Sequence, residues 1–337
     1  MAMSWVPCVV RSQDPDQVPI RLGHDVVDGY LRFVWARARP NTLLAVGFDL
    51  KVFFTVVGKE PSEVAVTDVF RFIEVQRRPV RGANVVRLED GEKGLSSRTI
   101  RRRLSSASGL FEYLVATELI AKNPIPRGLG SRSNRRRGLP LIRSPQTLPK
   151  ILDPGEVDAL MAALRTWRDR AMVQAMLLGG LRRCEVLGLG LGDINAGERR
   201  VLVADGKGGH QRITPVSKRF FENLATYLNE ERPDTDTDRT FVVLKGPRRG
   251  QPLSATGLDQ VMRGARERAG LAHASCHELR HTCLTRLREA GMALEAVQAQ
   301  AGHRSIETTR LYLHLADTWL AEEYHRAVFA IDAGAGS

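Results

Sequence analysis

Cysteine is scarce in this sequence, which holds only 4 in 337 residues. No two of them form a C-x-x-C pair, and their spacings match neither a compact disulfide framework nor a zinc finger. We therefore expect reduced thiols, most of them buried. They are Cys8, Cys184, Cys276 and Cys283.

Long apolar runs are also missing from the sequence. No stretch approaches the roughly 20 apolar residues that a helix needs to cross a bilayer. The first residues do not combine a charged segment with a long apolar core, as a secretory signal would. The G-x-x-x-x-G-K-[ST] loop of nucleotide-binding proteins does not occur either. We expect a cytoplasmic protein that needs no cofactor.

Acidic residues are outnumbered by basic ones. Lys and Arg total 50 against 38 for Asp and Glu, which gives a net charge of +12 and an isoelectric point near 10.0. Apolar residues make up 43% and charged residues 26% of the chain, so disorder of the whole chain is excluded. The excess of positive charge predicts a polyanionic partner, either nucleic acid or a membrane surface.

The pattern of apolar residues along the chain predicts two domains. Residues 1–23 are mixed and rich in Pro and Asp, and we expect a flexible N-terminal arm. Residues 24–125 repeat apolar side chains at helical spacing and predict an all-helical domain. Residues 126–150, rich in Gly, Pro, Ser and Arg, have the composition of a solvated basic linker. Residues 151–337 form a second, mainly helical domain.

One piece of the second domain breaks the helical pattern. The segment RRVLVADGKGGHQRITPVS alternates apolar and polar residues on both sides of a glycine-rich centre. This alternation predicts a β-hairpin with residues 205–209 at its tip. The predicted fold class of the whole chain is therefore mainly α with a small β-hairpin or sheet.

The pentapeptide HELRH, residues 277–281, has two chemical interpretations. As H-E-x-x-H, it places two histidines one helical turn apart to bind zinc, with a glutamate to activate water. As H-x-x-R, it places His277 and Arg280 on one helix face, where both can reach a phosphate. The zinc interpretation lacks a third ligand, because no further glycine and histidine follow. An arginine would also repel a dication, so we expect no metal site.

Three other segments carry polar residues beside glycines or at helix ends. GGLRRCE places Arg182 and Glu185 after a glycine break, and DGKGG places Lys207 in the hairpin tip. AGHRSIETTRLYLHL supplies His303 and Tyr312. Taken singly, such residues are more often solvated or packed side chains than catalytic groups. Their occurrence together, in this chain order, points to a shared site.

In this order, GGLRRCEVLGL, DGKGG, CHELRHTCLTRL and AGHRSIETTRLYLHL resemble the signature of the tyrosine recombinases, the family of phage integrases and chromosome-dimer or transposon resolvases. The family pattern is an arginine in G-L-R-x-x-E, a lysine on a β-hairpin, H-x-L-R-H-T, L-G-H and then a tyrosine. The resemblance covers residues 150–320. It implies an all-helical, SAM-like core-binding domain over residues 24–125, and a mixed α/β tyrosine-recombinase catalytic domain with a C-terminal subunit-contact helix over residues 151–337.

The resemblance also assigns catalytic roles. Tyr312 would attack a DNA phosphate and become linked to the 3′ side of the break. Arg182 and Arg280 would hold the non-bridging oxygens, and His277 and His303 would donate hydrogen bonds to the same phosphate. This fits the chemistry, because two permanently charged guanidinium groups stabilise a phosphate transition state without a metal.

Three more residues receive supporting roles from the resemblance. Lys207 would protonate the leaving 5′ oxygen. Hairpin length varies in the family, so Lys218 and Lys245 stay open as alternatives. Glu185 and His281 would orient the catalytic side chains.

Basic residues concentrate between positions 98 and 143, where eleven of them face two acidic residues. We expect this stretch to neutralise DNA phosphates in passing. The candidate DNA-binding residues are Arg98, Arg101, Arg102, Arg103, Arg135, Arg136 and Arg137.

The predicted function is site-specific recombination of double-stranded DNA by a simple two-domain tyrosine recombinase. The resemblance implies a tetramer on two recombination sites and no membrane partner. Leu320, Tyr324 and Val328, spaced by four, form an apolar stripe that would dock on a neighbouring subunit or pack on its own core. A catalytically inactive DNA-binding protein of the same fold and a monomeric type IB topoisomerase stay open as alternatives, as do the biological task and any accessory proteins.

Overall fold

The computed structural model divides the chain into two units, Met1–Gln146 (unit 1) and Thr147–Ser337 (unit 2). Each unit has its own apolar core, as expected of two domains. The residues that the structure describes are 5–12, 14, 16–78, 94–126, 128, 141–142, 149–204, 211–303, 305–310, 324 and 328.

Unit 1 is mainly helical. Its described elements are β1 (Val10–Arg11), β2 (Ile20–Arg21), α1 (Asp25–Arg37), α2 (Pro40–Val57), α3 (Val66–Arg77) and α4 (Ser97–Ala116). Gly58 ends α2 in the left-handed conformation, with φ 63°. The Ser96 hydroxyl caps α4 by accepting a hydrogen bond from the Thr99 N–H at 3.2 Å. The apolar faces of the four helices meet in one core that includes the fully buried Phe53 and Phe111.

The prediction of a flexible arm over residues 1–23 is wrong for the described part of that segment. β1 and β2 pair antiparallel, with Val10 opposite Arg21. Trp5, Ile20 and Leu22 are buried in the core of unit 1, and the Trp5 indole N–H donates to the Leu22 carbonyl at 2.8 Å. Burying each such side chain contributes roughly 1.5–3 kcal/mol, which favours an ordered segment despite its polar neighbours.

The proposed linker, residues 126–150, also needs a correction. Ile142 is only 3% exposed and belongs to the core of unit 1, against which Leu141 packs. These two residues therefore belong to the first folded unit and not to a solvated connection. The apolar pair LI stands inside a run of Gly, Pro, Ser and Arg, so composition averaged over the segment hides it.

Helix α2 is long and apolar enough, by length and composition alone, to cross a membrane. From the sequence, we expected no segment of this kind. Leu43, Leu50, Phe53 and Phe54 on this helix are fully buried in unit 1. Packing in the core therefore accounts for its apolar composition.

Unit 2 surrounds one central helix with others and carries a small sheet. Its described elements are α5 (Pro154–Ala163), α6 (Trp167–Gly179), α7 (Arg183–Gly188), β3 (Ile194–Asn195), β4 (Arg200–Val203), β5 (Arg212–Pro215), α8 (Lys218–Thr226), α9 (Ala255–Arg268), α10 (Cys276–Glu289), α11 (Leu294–Ala301) and α12 (Ile306–Arg310). Helix α6 is buried on most of its surface and packs against α8 and α10. It therefore forms the framework on which the polar residues of the second domain are arranged.

The three strands of unit 2 form an antiparallel sheet in the order β3-β4-β5. Val203 at the end of β4 lies opposite Arg212 at the start of β5, so the two strands form the predicted hairpin. Val201 and Val203 are buried while Leu202 is exposed, as expected for a sheet with one face on the core. The mainly helical fold class with a small sheet is confirmed.

Candidate active site

The end of α6 prepares the position of Arg182. Gly180 terminates the helix in the left-handed conformation, with φ 67°, which glycine adopts without strain. A Cβ at this position would lie 3.3 Å from Leu284, so the close packing of α6 on α10 also requires glycine. Arg182 follows after Leu181, and its guanidinium Nη2 donates to the Gly302 carbonyl at 3.2 Å.

Glu185 fixes Arg182 in two ways. Its Oε2 accepts a hydrogen bond from the Arg182 backbone N–H at 2.8 Å, and its Oε1 accepts one from Arg182 Nη1 at 2.7 Å. Burial by itself raises the pKa of the Glu185 carboxyl, but hydrogen bonds from Arg212 and from Arg182 outweigh burial and lower the pKa to about 2. Glu185 is therefore an ionised, fully buried partner of the arginine beside it.

Helix α10 places Arg280 opposite the end of α6. Ser275 and Glu278 form a capping box that starts the helix one residue before His277. Arg280 is 2% exposed, and it donates from Nη1 to the Gly180 carbonyl and from Nη2 to the Ala301 carbonyl at 2.6 Å. The two carbonyls hold the guanidinium plane in one orientation.

His303 lies against Arg280 and follows directly after Gly302, which ends α11. Its Nε2 is 3.1 Å from Arg280 Nη2, and its Nδ1 is 3.0 Å from the hydroxyl of the buried Thr309 on α12. A guanidinium only donates, so Nε2 accepts and Nδ1 donates to Thr309. Burial, followed by the positive charges of Arg280 and Arg182, lowers the pKa of His303 to about 3.

The two histidines of HELRH contact each other along one face of α10. Their rings lie 4.3 Å apart between centroids and are nearly perpendicular, with His277 exposed and His281 half-buried. Burial, then His277 and Arg280, lower the pKa of His281 to about 4. Both His281 and His303 are therefore neutral near pH 7.

Within the described residues, no group of three His, Cys, Asp or Glu side chains lies close enough to hold a metal ion. The arrangement instead suits an oxyanion. Arg182 and Arg280 come from two different segments and both donate to carbonyls at the end of α11, Gly302 and Ala301. Guanidinium groups held side by side in this manner offer fixed, charged donors to a phosphate.

The structure therefore brings together Arg182, Glu185, Arg280, His281 and His303. His277 is on the same helix but is exposed. Several predicted residues lie outside the part of the chain that the structure describes: Lys207, Tyr312, Arg135, Arg136, Arg137 and Leu320. Of the C-terminal apolar stripe, Tyr324 and Val328 are helical, and Tyr324 is 63% exposed.

Three residues of the cluster were not predicted. Arg212 on β5 forms two hydrogen bonds to Glu185, at 2.8 and 2.9 Å. Gln300 on α11 donates to the carbonyls of Gly179 and Pro215, and Thr309 accepts from His303. The one available signal was Arg212 itself, an arginine at a strand end close to the glycine-rich tip. Gln300 and Thr309 gave no local signal, because the partners of Gln300 lie 121 and 85 positions away and the partner of Thr309, His303, lies outside α12.

Unit 1 presents a separate basic surface on α4. Arg98 and Arg101 are exposed on this helix. Arg102 pairs with the buried Asp49 at 2.6 Å, and Arg103 hydrogen-bonds to Gln76. Three of the four predicted arginines on this helix, Arg98, Arg101 and Arg102, are thus exposed to solvent, and Arg102 and Arg103 are also anchored to neighbouring helices.

Comparisons with known proteins point to one family. A family model described as the phage integrase family matches residues 150–318. The tyrosine recombinase XerC of Actinobacillus pleuropneumoniae is 31% identical over 244 residues, which cover 71% of this chain and 75% of that protein. XerC of Chlamydia trachomatis is 33% identical over 68% of this chain and 70% of its own length. XerD of Listeria monocytogenes is 26% identical over 89% of this chain and 97% of its own.

Solved structures share the fold. The Tn1549 transposon integrase in complex with transposon right end DNA matches 90% of this chain and 99% of its own, with a TM-score of 0.66 and 19% identity. A lambda integrase dimer bound to a core site matches 86% and 94%, with a TM-score of 0.63 and 16% identity. The sequence matches and the shared fold lead to one conclusion: this chain belongs to the phage integrase family of tyrosine recombinases, enzymes of site-specific DNA recombination.

Proposed function

We propose that this protein cuts and rejoins double-stranded DNA through a covalent bond between Tyr312 and a 3′-phosphate. The Tyr312 oxygen would attack the phosphorus, the bond to the 5′ oxygen would break, and Lys207 would give that oxygen its proton. A 5′-hydroxyl of another strand would then attack the phosphotyrosine, release Tyr312 and restore a phosphodiester. The energy of the broken bond is conserved, so the cycle needs no nucleotide.

One observation carries this proposal: Arg182, Arg280 and His303 converge from three separate segments. In the transition state, negative charge grows on the non-bridging oxygens of the phosphate, and preorganised charged donors stabilise it there. Arg182 and Arg280 are already oriented by Glu185 and by backbone carbonyls, so little reorganisation is needed when the phosphate arrives. A tyrosine near such a cationic site is favoured as phenolate, which makes it a competent nucleophile.

His303 would change partner during the reaction. Its Nε2 now accepts from Arg280 Nη2 at 3.1 Å. A phosphate oxygen bound between them would replace Nε2 as the acceptor of the hydrogen bond from Arg280. Its negative charge would favour protonation of His303. Both ring nitrogens would then donate, Nδ1 to Thr309 and Nε2 to the phosphate. His277, exposed one turn before His281, would supply a further hydrogen bond.

The partner and assembly follow from the same proposal. Double-stranded DNA would be bound by unit 1 as a core-binding domain, through the exposed Arg98 and Arg101 of α4 and the adjacent Arg102 and Arg103, and by unit 2 at the catalytic site. Arg135, Arg136 and Arg137 would neutralise further DNA phosphates. The active species would be a cytoplasmic tetramer on two recombination sites, with the C-terminal stripe in contact with a neighbouring subunit.

A covalent trapping assay tests the proposal. The protein is incubated with duplex DNA from the flanks of its own gene, in EDTA, and analysed on a denaturing gel. We expect a slowly migrating protein–DNA adduct from the wild type and from the control Tyr113→Phe, a tyrosine of unit 1, but none from Tyr312→Phe. The adduct should form with EDTA present, because no step uses a metal.

Three results would contradict the proposal. An adduct that persists in Tyr312→Phe would place the nucleophile elsewhere. Binding of the DNA without any adduct would favour a DNA-binding protein that has lost catalysis. Loss of cleavage in EDTA would support the zinc interpretation of HELRH instead.

A further inference from the structure

Arg212 is the second arginine that contacts the buried carboxylate of Glu185, beside Arg182. Its Nη1 donates to Oε1 at 2.9 Å and its Nη2 donates to Oε2 at 2.8 Å, which is a bidentate pair. Its Nε donates to the Gln300 carbonyl at 3.3 Å, and its side chain is 12% exposed. Arg212 is therefore held as rigidly as Arg182 and Arg280.

Glu185 is shared evenly between the two arginines. Oε1 accepts from Arg182 Nη1 and Arg212 Nη1, while Oε2 accepts from the Arg182 backbone N–H and Arg212 Nη2. A carboxylate offers about four acceptor positions, so all of them are used. The three side chains, Glu185, Arg182 and Arg212, thus carry one negative and two positive charges. Their net charge of +1 would lie beside a bound phosphate.

Removing Arg212 would change this balance. Glu185 would then face Arg182 alone, and the pair would be electrically neutral. Two acceptor positions would be vacant in a fully buried carboxylate, which favours rotation of the Arg182 guanidinium into a bidentate contact with it. That rotation would take its N–H groups away from a phosphate.

We infer that Arg212 is a positioning residue for strand cleavage: it occupies two of the four acceptor positions of Glu185, so the N–H groups of Arg182 stay available to the DNA phosphate. The inference rests on the proposed function, because it assigns Arg182 to the phosphate. Arg212 itself acts through Glu185.

The packing around Arg212 indicates that the position is built for a large side chain. A Cβ on Gly302 would come within 3.0 to 3.1 Å of three Arg212 atoms, and Gly302 has φ 60°. The carbonyl of this glycine in turn accepts from Arg182. Arg212 also anchors the base of the β4–β5 hairpin to α11, because its Nε donates to Gln300 and the Gln300 amide donates back to Pro215. The same hairpin carries Lys207 at its tip in the sequence.

The test compares the rate of adduct formation in four variants on a suicide duplex whose cleaved strand cannot religate. These are Arg212→Met, Glu185→Gln, the double variant and Arg212→Lys, with protein in excess over DNA. Arg200→Met on β4 is the matched control, since it removes an exposed charge from the same sheet. DNA affinity and the thermal unfolding midpoint are measured for each.

We expect Arg212→Met to slow cleavage by roughly ten- to a hundred-fold, the range found for groups that orient a catalytic side chain, with DNA affinity unchanged. Adding Glu185→Gln to Arg212→Met should raise the rate above that of the single variant, because the competing negative charge has gone. Arg212→Lys should be faster than Arg212→Met, since it keeps the charge, but slower than the wild type, because an ammonium does not reproduce the bidentate contact with Glu185. Arg200→Met should cleave like the wild type.

If Arg212 had only a structural role, the double variant would cleave no faster than Arg212→Met, because two substitutions in one buried cluster would disturb the packing at least as much as one. A double variant no faster than Arg212→Met, or an Arg212→Met rate equal to that of the wild type, overturns the inference. If Arg212→Met does not fold, the comparison of Arg212→Lys with the wild type decides: equal affinity and equal rate overturn it. A wild type that binds DNA but forms no adduct would refute the proposed function instead.

Discussion

The low pKa values of His303 and His281 predict that mild acid destabilises unit 2. An unfolded chain protonates histidine near pH 6.5, whereas these two residues resist protonation in the folded state until about pH 3 and about pH 4. Between these limits the unfolded chain binds more protons than the folded chain. The free energy of unfolding therefore falls as the pH drops below about 6.5, and the loss levels off once the folded-state pKa values are passed.

The size of this effect follows from the same values. At pH 5 each histidine is neutral in the folded chain but protonated in the unfolded chain. This difference lowers the free energy of unfolding by about 2 kcal/mol per residue relative to pH 7. The two together lower the free energy of unfolding by about 4 kcal/mol, a large share of the roughly 5–15 kcal/mol that a domain has. Glu185 adds no loss in this window, because its stabilising contribution is lost only below about pH 4.5.

The assay is urea titration at pH 7 and pH 5, followed by hydrogen exchange of peptides from α6 and α10, so that unit 2 is observed by itself. His303→Gln should be less stable than the wild type at pH 7 but should lose only about half as much free energy between the two pH values. His24→Gln, in unit 1, is the control and should match the wild type in these peptides. An equal loss in His303→Gln and wild type would refute the reasoning.

Two other predictions concern binding and cleavage. Arg280→Lys keeps the charge but cannot donate to Gly180 and Ala301 together. We therefore expect the cleavage rate on a suicide substrate to fall by roughly a hundred- to a thousand-fold, with little change in DNA affinity. A decrease of less than about tenfold would contradict this prediction. The double variant Arg98→Gln, Arg101→Gln should reduce the slope of log affinity against log salt concentration by about 2, as measured by fluorescence anisotropy. An unchanged slope would show that these two arginines of α4 do not contact DNA phosphates.

Much of the second domain could be predicted because its signals are local. The capping box of Asp153 and Glu156 starts α5, with the Glu156 N–H donating to Asp153 at 2.8 Å. The left-handed Gly180 ends α6 where the glycine pair stands in the sequence. The alternation around the glycine-rich tip gave the β4–β5 hairpin. Arg182, Arg280 and His303 could be grouped only through the resemblance, because their contacts span 20 residues and more.

The failures share a physical cause, which is that burial depends on distant partners. Trp5 and Ile20 lie in a segment whose two-residue strands are too short to show a period of two. Their burial comes from packing against unit 1 helices that follow later in the chain. Asp49 gives the same lesson inside α2: it is 2% exposed and pairs with Arg102, a partner 53 positions away. No local pattern distinguishes it from a solvated acid.

The site also explains what offsets the repulsion among Arg182, Arg212 and Arg280 in addition to the carboxylate of Glu185. Helices α6 and α11 both end in a left-handed glycine, and the carbonyls at these ends accept from the guanidinium groups: Gly180 and Ala301 from Arg280, and Gly302 from Arg182. The C-terminal end of a helix carries partial negative charge, so these contacts offset part of the repulsion. In the proposed reaction, the phosphate would be bound by side chains that helix C-termini hold in place, and glycine suits both turns because it adopts the left-handed conformation without strain.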